Sequence, residues 1–316
     1  MRLFLTELRR GWARRSTRVL LVLAVVLILI LGVTLFATSS ADLDASGAAG
    51  LREHAAQIED CIRNDAYGAA RTGAANPSDE ELRSSCSSMI GPAHQYVDDP
   101  RFHLTTLWPS VDEGGDGVLV VSCLFLVLGA LIGGATFIGA DWRFGTIGTL
   151  LSWEPRRTRV FLGKAAAVAL WSFVVGLVLQ SLVGLAVLPS AIWRGTTDGA
   201  DAAWFGEVVA AILRTSALGA AAALLGYGVA SIGRNTAAAL GVAFGYVAIA
   251  ESVMRGLRPG WQRWFVSDNA VVVLLGRQLP DAGFERTAGG AGIVLLCYLS
   301  AVLLAAGVTF ARRDIG

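Results

Sequence analysis

Charged residues are spaced along this 316-residue chain so that six long stretches between them carry almost no charge. A helix that crosses a bilayer needs about 20 mostly apolar residues, with a range of roughly 17–25. Five of the stretches are uncharged, and the sixth contains Glu251 near one end. We therefore predict six transmembrane helices. Their boundaries are 19–37, 117–140, 160–189, 214–233, 235–254 and 288–311, and Pro189 is expected to end the third.

Composition excludes the other broad classes of protein. Only 16% of the residues are charged, whereas soluble domains carry roughly a quarter. Hydrophobic residues make up 54% of the chain, which excludes intrinsic disorder because disordered chains are poor in them. The first apolar run exceeds the roughly 7–15 residues of a cleaved signal peptide, so a retained signal-anchor is favoured over a cleaved signal. The predicted fold class is an all-α polytopic membrane protein with a helical insertion between spans one and two.

The distribution of charge predicts the topology. Residues 1–18, the 141–159 loop, Lys164, Arg234 and the 312–316 tail together contain 14 basic and four acidic residues, whereas loop 38–116 contains five basic and 14 acidic residues. Lys and Arg concentrate on the cytoplasmic side of membrane proteins. We therefore expect a multi-pass plasma-membrane protein with both termini in the cytoplasm. Segments 38–116, 190–213 and 255–287 then lie outside, although the last contains five arginines against the general rule, namely Arg255, Arg258, Arg263, Arg277 and Arg286.

The 38–116 loop contains the pattern of a small helical hairpin. Apolar residues recur at helical spacing from Leu51 to Ile62. Ser78 and Glu81 have the spacing of a capping box, which would begin a second helix, and Gly91-Pro92 would end it. One cysteine lies in each half, and an external compartment permits disulfides. We predict a Cys61–Cys86 disulfide; two unrelated free thiols are the alternative.

Side chains for catalysis or metal binding are scarce. All three histidines (His54, His94 and His103) fall in the external loop with no metal-ligand spacing. Gly163-Lys164 is followed by Ala165, so the phosphate-binding loop of ATPases is missing there. No nucleophile is paired with a base. We predict no catalytic residues, no metal and no cofactor bound by this chain, and no nucleic-acid partner.

Two polar residues inside the spans are candidates for a translocation pathway. They are Gln180 in span three and Glu251 in span five. An ionisable residue within a membrane is a functional hypothesis by default, but Glu251 also lies near Arg255 and Arg258, so a structural ion pair is at least as strong an interpretation.

Two Gly-x-x-x-Gly spacings predict faces that pack on other helices; they are Gly129 with Gly133, and Gly241 with Gly245.

The cytoplasmic segment after span two has the pattern of a short amphipathic helix. Phe144, Ile147 and Leu151 form an apolar stripe at helical spacing, and Pro155 breaks the helix. The stripe is surrounded by Arg143, Arg156, Arg157 and Arg159. Such a helix could rest on lipid or present an apolar surface to a cytoplasmic partner.

This segment resembles the coupling region of ABC transporter permeases of the type-two exporter family. The family pattern is an acidic residue, then Gly-Thr, Leu-Leu, Pro, Arg and finally Lys at the start of the next span. The acidic residue is usually Glu and is Asp here, where the resemblance implies a surface anchor. The matching residues are Asp141, Gly145, Thr146, Leu150, Leu151, Pro155, Arg159 and Lys164. Residues 1–18 resemble the amphipathic elbow helix of the family, Pro259 to Gly276 its re-entrant external segment, and Phe310 to Asp314 its C-terminus.

The resemblance implies a permease subunit that couples ATP hydrolysis on separate ATPase subunits to export. The ATPases would bind ATP and Mg, and a second permease, identical or a sister chain, would complete the pathway in the lipid bilayer. Phe144 and Ile147 would belong to the coupling helix at 142–152. Two alternatives remain: a secondary transporter, for which no inverted repeat is evident, and a scaffold or sensor that displays the external loop.

Overall fold

The computed structural model describes residues 6–7, 15–40, 45–63, 79–90, 101–108, 117–278 and 284–312. Its contacts divide the chain into two compact units. The first comprises Met1–Leu29, Asp116–Leu185 and Asp201–Gly316, and the second comprises Ile30–Gly115 and Ala186–Ala200. The two units are described separately below.

Helices account for nearly all of the regular structure in these ranges. In chain order the elements are α1 (Arg15–Thr38), α2 (Ala45–Arg63), α3 (Asp79–Ile90), β1 (Phe102–His103), a 3-10 helix (Leu104–Leu107), α4 (Val118–Arg143), α5 (Thr146–Trp153), α6 (Arg157–Arg194), β2 (Gly195–Thr196), α7 (Ala202–Gly233), α8 (Thr236–Phe244), a π-helical turn (Gly245–Glu251), α9 (Ser252–Leu257), a second 3-10 helix (Pro259–Trp264), α10 (Val266–Leu275) and α11 (Ala288–Arg312).

Among the described residues, six helical runs are long and apolar enough to cross a membrane, which confirms the predicted all-α polytopic fold. The fifth is the continuous run Thr236–Leu257, which contains the π-helical turn. The short apolar helix α10 is a separate element. Large apolar side chains remain exposed along the spans, as on α1, where Val19 is 65% and Val33 68% exposed. Exposed apolar surface of this extent is what a lipid-facing helix requires.

Two helix boundaries differ most from the prediction. The third span does not end at Pro189, because α6 continues through it to Arg194. Proline is tolerated in apolar helices where the freed carbonyl groups find other partners or local helix adjustments. The fourth begins at Ala202, well before the predicted residue 214, because Asp201 caps it. The Asp201 carboxylate accepts a hydrogen bond from the Trp204 backbone N–H at 2.7 Å, which satisfies one of the free donors of the first turn.

Close packing of α4 against α7 forms the centre of the first unit. Gly134 faces the backbone of Ala223, and a Cβ at this glycine would overlap the Ala223 carbonyl oxygen. Gly226 faces the carbonyl of Leu131 in the same way. Without a hydrophobic driving force between helices in lipid, small residues promote association by allowing backbones to approach. The two glycines thus fix how α4 and α7 cross.

The glycines that the Gly-x-x-x-Gly spacing singled out are not the packed ones. A Cβ at Gly129, Gly133, Gly241 or Gly245 would meet no atom within 4 Å in the part of the chain that the structure describes. Within the first unit, the prediction that the helix faces containing these four glycines pack on other helices is therefore wrong. Successive helical residues differ by about 100° in direction, so the neighbouring Gly134 faces α7 while Gly133 faces away.

The second unit contains the predicted disulfide. Cys61 of α2 is bonded to Cys86 of α3, with their Cα atoms 6.0 Å apart, which confirms the predicted disulfide. Cys86 is fully buried and Leu82 is 6% exposed beside it. Ser78 of the predicted capping box and the Gly91-Pro92 stop lie outside the described residues.

A single parallel pairing joins two other parts of this unit. Phe102 pairs with Gly195 and His103 with Thr196. A side chain at Gly195 would overlap the Phe102 carbonyl, so only glycine allows this approach. Arg194 donates hydrogen bonds to the carbonyls of Phe36 at 3.1 Å and Ser39 at 3.2 Å. These contacts join the end of α6 to the end of α1.

Most of the predicted elbow helix lies outside the described residues, which include only 6–7 and 15–18 of the first 18 positions. Thr6 and Glu7 are helical. Arg313 and Asp314 of the C-terminal motif also lie outside the described ranges.

Candidate functional site

The short helix α5 begins at a glycine and ends before a proline. Gly145 has φ +66°, a left-handed conformation that favours glycine, and it separates α4 from α5. Glu154 is extended, as expected for a residue that precedes proline. Helix α5 thus runs from Thr146 to Trp153 as an independent element. It begins later than the predicted 142–152 helix, because Trp142 and Arg143 belong to α4.

Helix α5 has a buried face and an exposed face. Ile147 is 2% exposed, and Leu150 and Leu151 pack on the same core cluster as Ile147. On the opposite face Trp153 is 86% exposed. The buried face anchors α5 to the helices of the first unit, while the exposed face remains available for contact.

Phe144 departs from the predicted stripe. It precedes Gly145, lies outside α5 and is 74% exposed. The left-handed glycine interrupts the helical periodicity that related Phe144 to Ile147 in the sequence. The inward stripe is instead formed by Ile147, Leu150 and Leu151.

A buried ionic cluster lies beside α5. The Lys164 ammonium donates hydrogen bonds to Glu7 Oε1 at 2.9 Å and to Asp141 Oδ2 at 2.8 Å. Lys164 and Glu7 are each 1% exposed and Asp141 is 7% exposed. Two carboxylates and one ammonium satisfy the requirement that buried charges be paired, and the cluster carries a formal charge of −1.

Thr146 joins α5 to this cluster. Its hydroxyl donates to Asp141 Oδ1 at 3.1 Å, so the first residue of α5 shares a carboxylate with Lys164 of α6. The resemblance implied a surface position for Asp141, and the structure corrects this because the side chain is buried. We call Glu7, Asp141, Thr146 and Lys164 the ionic cluster.

Aromatic side chains complete the surroundings of α5. Tyr227 of α7 is fully buried and donates a hydrogen bond to the Phe161 carbonyl at 3.0 Å. Phe310 of α11 packs against Phe161 and Trp142, with ring centroids 5.8 and 6.0 Å apart. The Arg234 guanidinium lies 4.7 Å from the centroid of the Trp142 ring. Residues from α4, α6, α7 and α11 therefore converge at the buried side of α5.

Glu7 and Tyr227 are site residues that the sequence motifs did not predict. A signal for Glu7 was available, because it is the only acidic residue before Asp42 and Lys164 in an apolar helix needs a counter-charge. For Tyr227 no local pattern distinguishes it from other apolar positions of its span.

The basic residues around α5 are at the surface. Arg156 is exposed, as is Pro155, and Arg159 donates to Glu154 at 3.5 Å with 59% of its side chain exposed. An exposed ion pair of this kind contributes roughly 0–1 kcal/mol. Arg143 lies 5.9 Å from the centroid of the Phe144 ring. The surface around α5 thus combines aromatic side chains with guanidinium groups.

The two pathway candidates have different surroundings. Gln180 is 1% exposed and accepts a hydrogen bond from the Ser122 hydroxyl at 2.7 Å. Its Nε2 is buried without a partner among the described residues. Glu251 is 2% exposed and accepts from the Val266 N–H at 2.7 Å and the Ser267 N–H at 3.3 Å. Within the described ranges the ion pair of Arg255 is with Asp268, at 3.0 Å, so the predicted pairing of Glu251 with Arg255 is replaced by a cap on α10.

A family model described as "ABC-2 family transporter protein" matches residues 7–262. This range includes α5 and all four members of the ionic cluster. No curated protein matches the chain.

Proposed function

The chain belongs to the ABC-2 family of transporter proteins, and we propose that it couples ATP hydrolysis on a separate ATPase subunit to the export of a substrate. As a member of this family it is a multi-pass membrane permease of an ABC transporter. The energy source, the direction of transport and the residues that transmit the force are the parts that we propose here.

The two-sided packing of α5 carries the proposal. Its buried face is fixed by Ile147 in the core cluster, and its exposed side presents Trp153 and the neighbouring Phe144. Large exposed aromatic residues with nearby arginines are typical of the strongest contacts at protein interfaces. Movement of a bound ATPase would thus be transmitted to the transmembrane helices through a rigid element.

The ionic cluster provides the second step of the transmission. Thr146 moves with α5, Asp141 belongs to α4 and Lys164 belongs to α6, and all three are joined by hydrogen bonds. Because close-packed interiors shift between discrete arrangements, a displacement of α5 is expected to move the ends of α4 and α6 together. Glu7 adds the N-terminal segment to the same group.

Topology and partners follow from this assignment. With α5 facing the ATPase, the end of the molecule that contains α5 and the basic N-terminal segment lies in the cytoplasm, in agreement with the excess of Lys and Arg there. Arg156, Arg157 and Arg159 would meet either an acidic ATPase surface or anionic headgroups, the latter at about 1 kcal/mol per basic residue. A second permease, identical or a sister chain, would complete the translocation pathway, and ATP with Mg would bind to the ATPases.

The experiment co-expresses the chain with a candidate phosphate-loop ATPase subunit from the same genome and measures co-purification and ATP hydrolysis in lipid nanodiscs. We expect Trp153→Ala to weaken ATPase binding at least tenfold, since buried aromatic anchors at interfaces are typically worth 2 kcal/mol or more. Phe125→Ala is the matched control, because Phe125 is 66% exposed on span helix α4 away from α5. Equal effects of the two substitutions, or full transport without any ATPase, would contradict the proposal and favour a secondary transporter or a scaffold.

A further inference from the structure

An open cleft of about 550 Å³ lies in the first unit, remote in sequence from α5. Its walls come from the π-helical turn, the 3-10 helix Pro259–Trp264 and α11. Aromatic side chains dominate the lining, which includes Tyr246, Glu251, Trp261, Trp264, Phe265 and Tyr298. π-helical turns are rare and frequently lie at functional sites.

The walls of the cleft are held together by hydrogen bonds. Glu251 accepts from the backbone N–H groups of Val266 and Ser267 and from the Ser267 hydroxyl, which joins the π-helical turn to α10. The Tyr298 hydroxyl donates to the Trp264 carbonyl at 3.0 Å, which joins α11 to the 3-10 helix. Hydrogen bonds therefore fix the walls of this concave surface. The Glu251 carboxylate already accepts its hydrogen bonds from donors within the protein.

Arginines surround this aromatic surface. Arg263 and Arg286 lie 5.7 and 5.4 Å from the centroid of the Trp264 ring. Arg258 precedes the 3-10 helix and is exposed. Of the arginines in this segment, Arg255 pairs with Asp268; within the described ranges, Arg258, Arg263 and Arg286 have no carboxylate within ion-pair distance. Among the described residues, these three guanidinium groups beside the cleft therefore have no acidic partner.

We propose that this cleft binds an anionic phospholipid of the surrounding membrane, with the phosphate at Arg258 and Arg263 and the acyl chains on the aromatic lining. Guanidinium groups bind phosphate strongly, whereas the same arginines disfavour an organic cation. The adjoining helical run exposes Ile249, Val253 and Leu257 at 61%, 53% and 69%, so the cleft borders a lipid-facing surface. Under the proposed topology, a lipid at this position also accounts for arginines at the external end of the spans, where the general rule expects few.

The test uses the purified full-length chain in mild detergent, titrated with dioleoyl phosphatidylglycerol or dioleoyl phosphatidylcholine and observed by native mass spectrometry. We expect the wild-type chain to bind phosphatidylglycerol more tightly. Arg263→Gln and Arg258→Gln should each weaken that binding about fivefold, since a basic residue near an anionic lipid contributes about 1 kcal/mol. Arg277→Gln is the matched control, because Arg277 follows the opposite end of α10.

Trp261→Ala provides a second variant that leaves the charges intact. Trp261 is 55% exposed, so its removal should preserve the fold while weakening binding of both lipids. Equal affinity for the two lipids, an Arg277→Gln effect as large as that of Arg263→Gln, or displacement of the lipid by glycerol phosphate alone would overturn the proposal. The experiment contains no ATPase, so its failure would leave the proposed coupling function unaffected.

Discussion

Lys164 donates a hydrogen bond to Glu7 at 2.9 Å, across 157 positions of the sequence. The contact attaches the N-terminal segment to α6 at the level of α5, and the second bond of Lys164 goes to Asp141. A buried ammonium shared by two carboxylates means that the N-terminal segment, α4 and α6 are held at one point.

Replacing Lys164 with Met should strongly destabilise the protein. The substitution leaves Glu7 and Asp141 close together without a cation, and breaking a buried ion pair typically costs about 3–5 kcal/mol. Thermal unfolding in detergent measures the effect. Glu7→Gln is the milder variant, because Asp141 still neutralises Lys164. The triple variant with Lys164→Met, Glu7→Gln and Asp141→Asn should recover much of the loss, and a triple variant no more stable than Lys164→Met alone would refute the electrostatic explanation.

Gly145→Ala should destabilise the connection between α4 and α5. A Cβ at this position meets no atom within 4 Å, so the effect comes only from the left-handed backbone and should be about 1–2 kcal/mol. The matched control is Gly148→Ala inside α5, which also has open space and should be neutral or stabilising by up to about 1 kcal/mol. The two variants are compared by thermal unfolding and by ATPase coupling, and similar behaviour would argue against the backbone explanation.

Gly134→Ala should disturb the packing of α4 on α7, whereas Gly133→Ala should not. A Cβ at Gly134 would overlap the Ala223 backbone, and one at Gly133 would meet open space. Overpacking of this kind costs about 1–3 kcal/mol. Melting temperatures of the two purified variants test the difference. If Gly133→Ala were the more damaging change, Gly133 would have to face another subunit.

Glu251→Ala should loosen the beginning of α10. The substitution removes the acceptor for the Val266 and Ser267 N–H groups, and loss of a helix cap costs about 0.5–2 kcal/mol. Hydrogen exchange at residues 266–267 should become faster in this variant, while Glu251→Gln, which keeps one acceptor oxygen, should show a smaller change. Unchanged exchange in Glu251→Ala would indicate that the carboxylate has another role.

The spans could be predicted from the sequence because the length of an apolar run is a local property. The Cys61–Cys86 disulfide could be predicted for a similar reason. Each helix has its own apolar periodicity, and the loop between the first two spans contains only two cysteines. Phe144 was misassigned because the left-handed Gly145 changes the direction of the chain without changing the spacing of apolar residues.

The tertiary partners could not be predicted in the same way. Lys164 required a counter-charge, but the choice of Glu7 depends on where the N-terminal segment lies in space. Gly133 and Gly134 are neighbours in sequence, and the position of α7 alone decides which of them is packed. Glu251 has arginines four and seven residues later, yet its partners are backbone groups at Val266 and Ser267.

Under the proposed topology, which places the segment between the first two spans outside, the Cys61–Cys86 bond imposes an order on the biogenesis of this protein. Thiols remain reduced in the cytosol and oxidise only in an oxidising compartment, so the bridge between α2 and α3 can close only after the segment between the first two spans has been translocated. Cells that insert the chain normally but lack a thiol oxidase outside would accumulate a form whose membrane helices are in place and whose outer hairpin is still open.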